Sequence, residues 1–240
     1  MGDSRRAATQ WTAVTWRAAV EELFPRFRSL TNDVPVLAAE IRVFLDASRV
    51  HDAGLTVLDF GGGSGELVAT ASRAQDQVVI LDPVRDPSST ITSQRNAFDA
   101  LIFSHVLPFV ADPIALFAEL SAYSKPAAAS LAIVLDDTGT QADICRAAAR
   151  TDARFLDYFG HAQRLEALLA AAEIPASSHT TVTRAIAKSH HDLLTLTVVA
   201  FYLNGVIDEL VERLASTIAP DPNGDHVLTT HHRVFTWPSR

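Results

Sequence analysis

The stretch Val57-Leu58-Asp59-Phe60-Gly61-Gly62-Gly63-Ser64-Gly65-Glu66 constrains this chain more than any other. A short apolar run ends in an acid and then passes through glycines at alternating positions, Gly61, Gly63 and Gly65. Glycine is required where the backbone turns with positive φ or comes close to a ligand. Glu66 to Arg73 has helical character, so the first N–H groups of that helix point back at the turn. Strand, glycine turn and helix start in this order make a nucleotide-binding turn.

The rest of the pattern supplies a sheet for that turn. Strands are predicted at 56–60, 77–81, 98–103 and 129–135, with helices at 113–121, 141–150 and 163–172 between or after them. Thr90 to Thr92 is a candidate short edge strand. Strands alternating with helices imply a parallel sheet covered on both faces. A Thr- and Val-rich strand at 178–187 and a last strand at 225–237 fit an antiparallel edge. A helical pair, 191–203 and 206–218, stands between them as a lid. Two helices, 11–27 and 34–50, precede the first strand and serve either as packing elements or as a cap over the site. The expected fold is α/β and Rossmann-like. Its mostly parallel sheet has an antiparallel C-terminal edge, an N-terminal helical cap (1–50), a core (51–187), and a helical insertion with the final strand (188–240).

Ligands of such sheets bind beyond the carboxyl ends of the strands. Those ends carry Asp59 to Gly65, Asp82, Ser104-His105 and Asp136-Asp137. Asp82 lies 17 residues beyond Gly65, where a carboxylate can accept both hydroxyls of a ribose; the alternative is a capping or solvated aspartate. No lysine follows Gly65, so the turn is not a phosphate loop. Glu66 is unhelpful to a pyrophosphate and suits a cationic group, an amine or a sulfonium. His105 stands where a substrate would meet a cofactor, and its imidazole can take a proton from an ammonium; a packed or capping histidine is the other reading. His231 and His232 fall on opposite faces of the last strand by its period of two, so one of them can reach the cavity. Asp137 is a candidate helix cap, His161 and His190-His191 are helix-start or loop residues, and Cys145 is a core residue. The histidines lack partners at ligand spacing, so no metal is expected.

The segment Val57 to Gly65 (VLDFGGGSG) resembles the first motif of the class I S-adenosylmethionine-dependent methyltransferases, with Asp82 at the place of their ribose acid. The likeness spans roughly residues 50–187. It implies S-adenosylmethionine as cofactor, held by Asp59, Gly61, Gly63, Gly65, Glu66, Asp82, Pro83, Ser104 and His105. A narrower likeness is to the histamine-type N-methyltransferases of small molecules, which share Gly61-Gly62-Gly63-Ser64-Gly65-Glu66, a helical N-terminal region and helices inserted before the last strand. Leu101 to Pro113 (LIFSHVLPFVADP) is similar to their fourth-strand segment. Their substrate-contacting glutamine corresponds to His105, their N-terminal acid to Glu22, and their C-terminal asparagine to His231 or His232. These four residues are therefore the catalytic and substrate-binding candidates. One departure stands out. Fifteen residues separate Asp82 from Phe98, too few for the family's usual helix and third strand. Ser93, Gln94, Arg95 and the N-terminal cap would then build the adenine pocket.

The expected activity is methyl transfer to a small amine or amino-acid-like compound of specialised metabolism. The alternatives are cyclisation of S-adenosylmethionine to azetidine-2-carboxylate with release of methylthioadenosine, and a non-catalytic cofactor-binding module. A formal net charge of -8 argues against attraction to nucleic acid or anionic membranes. No apolar run spans a bilayer, the N-terminus lacks the apolar core of a signal peptide, and a single cysteine points to a reducing compartment. The expectation is a cytoplasmic monomer or homodimer with a small-molecule substrate.

Overall fold

The structure, a computed structural model, describes residues 25–50, 52–82, 95–150, 159–189, 192, 196, 218 and 220–239. Its elements run α1 (Asp33–Ala47), β1 (Thr56–Phe60), α2 (Glu66–Ala71), β2 (Gln77–Leu81), β3 (Phe98–Ser104), a 3-10 turn (Leu107–Phe109), α3 (Pro113–Ser121), β4 (Ser124–Leu135), α4 (Thr140–Ala149), α5 (His161–Ala171), β5 (Ser177–Ala187) and β6 (His226–Pro238). The sheet order is β2-β1-β3-β4-β6-β5. β2, β1, β3 and β4 are parallel, and β6 runs antiparallel to β4. This is the mostly parallel, Rossmann-like sheet with an antiparallel edge that the alternation predicts.

Two compact units divide the chain: Asp33–Thr138, Phe159–Thr183 and Thr230–Arg240 form one, and Met1–Asn32, Gly139–Tyr158 and Arg184–Thr229 the other. The first holds the core of the sheet. Its inner strands are apolar nearly throughout, as burial on both faces demands. On one face, Leu101 and Phe103 of β3 and Phe235 and Trp237 of β6 join Phe117 and Leu120 of α3 and Leu165 and Leu169 of α5. Phe103, Phe117 and Trp237 make a ring cluster with centroids 5.0–6.1 Å apart. On the other face, Val57, Ile102, Ile133 and Val234 meet Leu37, Ile41, Phe44 and Leu45 of α1 and Val68 and Ala71 of α2. The helical spacing of those α1 residues makes one apolar stripe. Of the two readings of this helix, it is the packing element.

Local chemistry sets the boundaries. α3 starts where predicted because Asp112 accepts from the N–H of Ala115 at 2.9 Å, with Pro113 in the first turn. α2 stops at Ala71, two residues before the predicted end, and the Ser72 hydroxyl closes it on Val68 O at 2.7 Å. β4 begins five residues earlier than its apolar run. Ser124 pairs with Phe98 and Ala129 with Ala100, and the residues around Pro126 are taken up in a register shift. Among the described residues no strand lies outside β2. The candidate edge strand at Thr90 to Thr92, the helix predicted at 11–27 up to residue 24, and most of the helical pair at 191–218 lie outside the described residues. Asp192 and Leu196 are helical. No described helix is long and apolar enough to cross a membrane.

The second unit has its own fastenings. Arg26 donates to Asp192 at 2.6 Å, and Thr31 bridges to Ala185. The hydroxyls of Thr140 and Thr229 bond each other at 2.7 Å, and each accepts the other's backbone N–H. Cys145 is fully buried, as predicted, and burial pushes its thiol pKa up.

At the amino end of the parallel strands, Arg49 forks onto Asp76 at 2.7 and 2.6 Å. The same carboxylate accepts from the N–H of Leu55 at 2.9 Å and of Arg73 at 2.7 Å. One acid thus ties the end of α1, the start of β1 and the α2–β2 loop, with its side chain fully buried. The hydrogen bond from Arg49, aided by the Leu55 and Arg73 N–H groups, holds its pKa well below the carboxylate range. The stabilisation is therefore complete above the unfolded-state value of about 4 and fades as pH falls through the folded-state value. Asp76→Asn is expected to cost about 3–5 kcal/mol at neutral pH. Urea unfolding of both proteins should show that gap narrowing below about pH 4.

Candidate functional site

β2 lies on one side of β1 and β3 on the other. The strand order therefore reverses between β1 and β3, and open α/β sheets form their ligand crevice beyond the carboxyl ends of such strands. The glycine turn sits at this point. Gly61, Gly63 and Gly65 have φ of 74°, 58° and 73°. The N–H of Gly61 donates to Leu81 O at 2.7 Å, and that of Gly65 to Gly62 O at 2.8 Å. A Cβ at Gly61 would strike Val106, one at Gly62 the Asp59 carboxylate, and one at Gly65 the Ile80 side chain. Packing demands glycine at Gly61 and Gly62, and the positive φ favours it at Gly65. Gly63 is different: only Asp82 Oδ2, at 4.0 Å, stands near its missing Cβ. Among the described residues nothing else comes near that flank of Gly63, so a close approach to its backbone is sterically allowed there.

Two acids face this turn. Asp82 is buried at the end of β2, and its Oδ2 accepts the N–H of Gly63 at 2.9 Å. Asp59 is 1% exposed, and its Oδ1 has no hydrogen-bond partner. Burial first, and the Asp82 charge second, push the Asp59 carboxyl up to about 7. Glu66 is exposed in the first turn of α2.

The end of β3 completes the floor. Ser104 Oγ is buried without a partner. His105 then takes φ 57°, a conformation uncommon outside glycine, while its N–H still bonds Ile133 O at 2.8 Å. The bend sets Val106 against Gly61. The His105 ring meets that of His232 edge to face, centroids 5.1 Å apart. His232 is 2% exposed; its Nε2 bonds Thr183 Oγ1 at 2.9 Å and its Nδ1 has no partner. Burial, then the charges of His105 and His231, hold its pKa well below the usual histidine value.

Of the two histidines on the last strand, His232 is the one brought to His105. His231 lies on the other face, with Nδ1 on Thr138 Oγ1 at 2.8 Å. Thr138 also reaches Asp136 at 3.2 Å, and Asp136 is paired with Arg233. Asp137 accepts the N–H of Gly160 at 2.9 Å, ahead of α5. His161 starts α5. Glu22, Pro83, Ser93, Gln94 and His190-His191 lie outside the described residues. Arg95 is exposed in a turn before β3. Thr183 and Thr138, which hold the two histidines, carry no sequence signal, since threonine is ordinary in strands and turns.

The chain belongs to the methyltransferase-domain family, which matches residues 15–174. Within it, the sheet and the glycine turn are those of the class I S-adenosylmethionine-dependent enzymes, and S-adenosylmethionine is the cofactor of the class. Among solved structures, the plantazolicin methyltransferase BpumL in complex with SAH is similar over 95% of this chain and 94% of its own, at 12% identity and a TM-score of 0.53. The plantazolicin methyltransferase BamL, in complex with a triazolic desmethylPZN analog and SAH, gives 12% identity, the same coverages and a TM-score of 0.51. At that identity the likeness is one of fold. No curated protein matches the chain.

The residues present fit such a cofactor. Among the described residues the flank of Gly63 leaves room for it, the buried Asp82 carboxylate lies beside that flank, and the unpartnered Asp59 Oδ1 can accept from an ammonium. Gly61→Ala and Gly63→Ala should separate packing from binding. Each strains a left-handed residue by about 1–2 kcal/mol. Gly61→Ala adds the collision with Val106 and is expected to unfold at markedly lower temperature. Gly63→Ala should stay folded while its affinity for S-adenosylhomocysteine, measured by calorimetry, falls at least about tenfold.

Proposed function

We propose that the protein methylates a nitrogen of a small amine or amino-acid-like compound, with His105 receiving the acceptor's proton. The observation that carries this reading is the contact of His105 with His232 at the end of β3, beside the glycine turn. An imidazole near the turn supports a proton acceptor for the methylated group. The similarity of Gly61 to Glu66 and of Leu101 to Pro113 to the small-molecule N-methyltransferases supports an amine acceptor.

In this reading Gly61, Gly63 and Gly65 shape the cofactor cradle, and Asp82, with Pro83 beside it, holds the ribose. Asp59, aided by Glu66 at the helix start, orients the ammonium. The bound cofactor supplies a methyl group already activated on a sulfonium. The chain's own contribution is alignment, removal of water and acceptance of a proton. His105 is suited to the last task because an imidazole nitrogen can act as a general base. Glu22 enters as an acceptor-binding candidate on the resemblance alone, and His231, bonded to Thr138 on the opposite strand face, is set aside.

Two tests follow. Product mass spectrometry with S-adenosylmethionine and a panel of amines should show singly methylated amine and S-adenosylhomocysteine. Methylthioadenosine formed without any amine would contradict methyl transfer. His105→Ala should lower kcat by about 10²–10⁴-fold and leave S-adenosylhomocysteine affinity unchanged; undiminished turnover would remove His105 from the mechanism.

The Asp59 carboxyl gives a pH signature. Its pKa of about 7 means it is largely protonated in mild acid. An ammonium ligand favours the ionised form, so binding below that value must expel the proton. Affinity for S-adenosylhomocysteine should fall toward tenfold per pH unit below about 7, with proton release visible as a dependence of the calorimetric heat on buffer. Asp59→Asn should abolish both.

A further inference from the structure

Three buried side-chain atoms at the site end of the sheet have no hydrogen-bond partner: Asp59 Oδ1, Ser104 Oγ and His232 Nδ1. Buried polar atoms are satisfied in the great majority of cases, so three orphans in one region call for an explanation.

The strand registers place them on one face of the sheet. Asp59 pairs with Ile102, and Ser104 is two residues further along β3 on the same face. Ser104 pairs with Ile133, and Ile133 with Val234. His232 is two residues from Val234, again on that face, and pairs with Leu135. The three side chains thus lie along a diagonal over β1, β3 and β6, with β4 between the last two, on the face that also packs α1 and α2. His105 touches the far end through His232.

The row divides by chemistry. Asp59 is the acid beneath the glycine turn and belongs to the cofactor's ammonium. Ser104 and His232 lie beyond it, on the side of His105. A serine hydroxyl can donate or accept. His232 has one ring nitrogen committed to Thr183, so its Nδ1 offers a single bond, and burial keeps the ring uncharged. The row contains no lysine or arginine. Arg233, next to His232 in sequence, is engaged by Asp136 at 3.0 Å. The row itself gives an anionic group no counter-charge, whereas a neutral nitrogen or oxygen would find one or two hydrogen bonds on it.

We infer that Ser104 Oγ and His232 Nδ1 form the hydrogen-bonding floor of the acceptor subsite, and that this floor selects an uncharged acceptor group, an amine free base or a hydroxyl, over a carboxylate. The inference rests on the methyl-transfer reading and assigns Ser104 to the acceptor and not to the cofactor.

The test uses full-length protein saturated with S-adenosylhomocysteine and ¹⁵N-labelled at histidine. It is titrated with benzylamine, phenol and benzoate at about pH 9, where a useful share of benzylamine is free base. The His232 Nδ1 resonance should move with benzylamine and with phenol, and not with benzoate. Ser104→Ala and His232→Gln should each weaken the benzylamine or phenol complex by about 3–10-fold. His232→Asn, whose amide can stand in for Nδ1, should recover most of the loss. Affinity for S-adenosylhomocysteine should stay within about twofold in all three variants. A response to benzoate equal to the others, or no response to any probe, overturns the inference. So does a tenfold loss of S-adenosylhomocysteine affinity with probe binding intact, which would give the row to the cofactor. Failure of the wild-type protein to bind S-adenosylhomocysteine would instead strike the methyl-transfer reading.

Discussion

The bond from the Gly63 N–H to the Asp82 carboxylate, 2.9 Å long, organises the site. It joins the turn after β1 to the end of β2. The turn is then pinned from both sides, by Leu81 O on Gly61 and by the Val106 side chain over the same residue. One acid thus orients the loop backbone at the carboxyl end of β2. The parallel pairing of β1 with β2, in register from Thr56 to Phe60, is what sets these groups at one height.

The sheet concentrates polar groups where its order reverses and keeps the opposite end structural. At the amino end, Asp76 is saturated with donors from Arg49, Leu55 and Arg73. At the carboxyl end, Asp59, Ser104 and His232 each leave an atom unanswered. Both ends bury charge or polarity, yet only one is self-sufficient. That asymmetry is the physical mark of a site prepared for something outside the chain. The backbone of His105 adds to it, held at φ 57° by the bond to Ile133 O on one side and by Val106 against the glycine turn on the other.

Much of this was legible in the sequence because inner parallel strands are short apolar runs with polar ends. β2 and α3 match their predicted bounds, and β1 does as well, since each is closed by an acid, a glycine or a proline. β4 was not legible at its start: Lys125-Pro126 reads as a break, and only pairing with Phe98 through a shifted register extends the strand. Asp59, Asp82, Ser104 and His105 follow from their places at strand ends. The choice between His231 and His232 does not, because alternation puts them on opposite faces without saying which face holds the site. The tertiary partners decide: Thr183 and His105 for one, Thr138 for the other. The burial that shifts Asp59 and His232 likewise depends on neighbours distant in sequence.

A crystal structure of the protein with S-adenosylhomocysteine tests the central claim most directly. The account predicts density along the open flank of Gly63, with the ribose hydroxyls within hydrogen-bond distance of Asp82. A ligand bound elsewhere, with Asp82 contacting only Gly63, would contradict it.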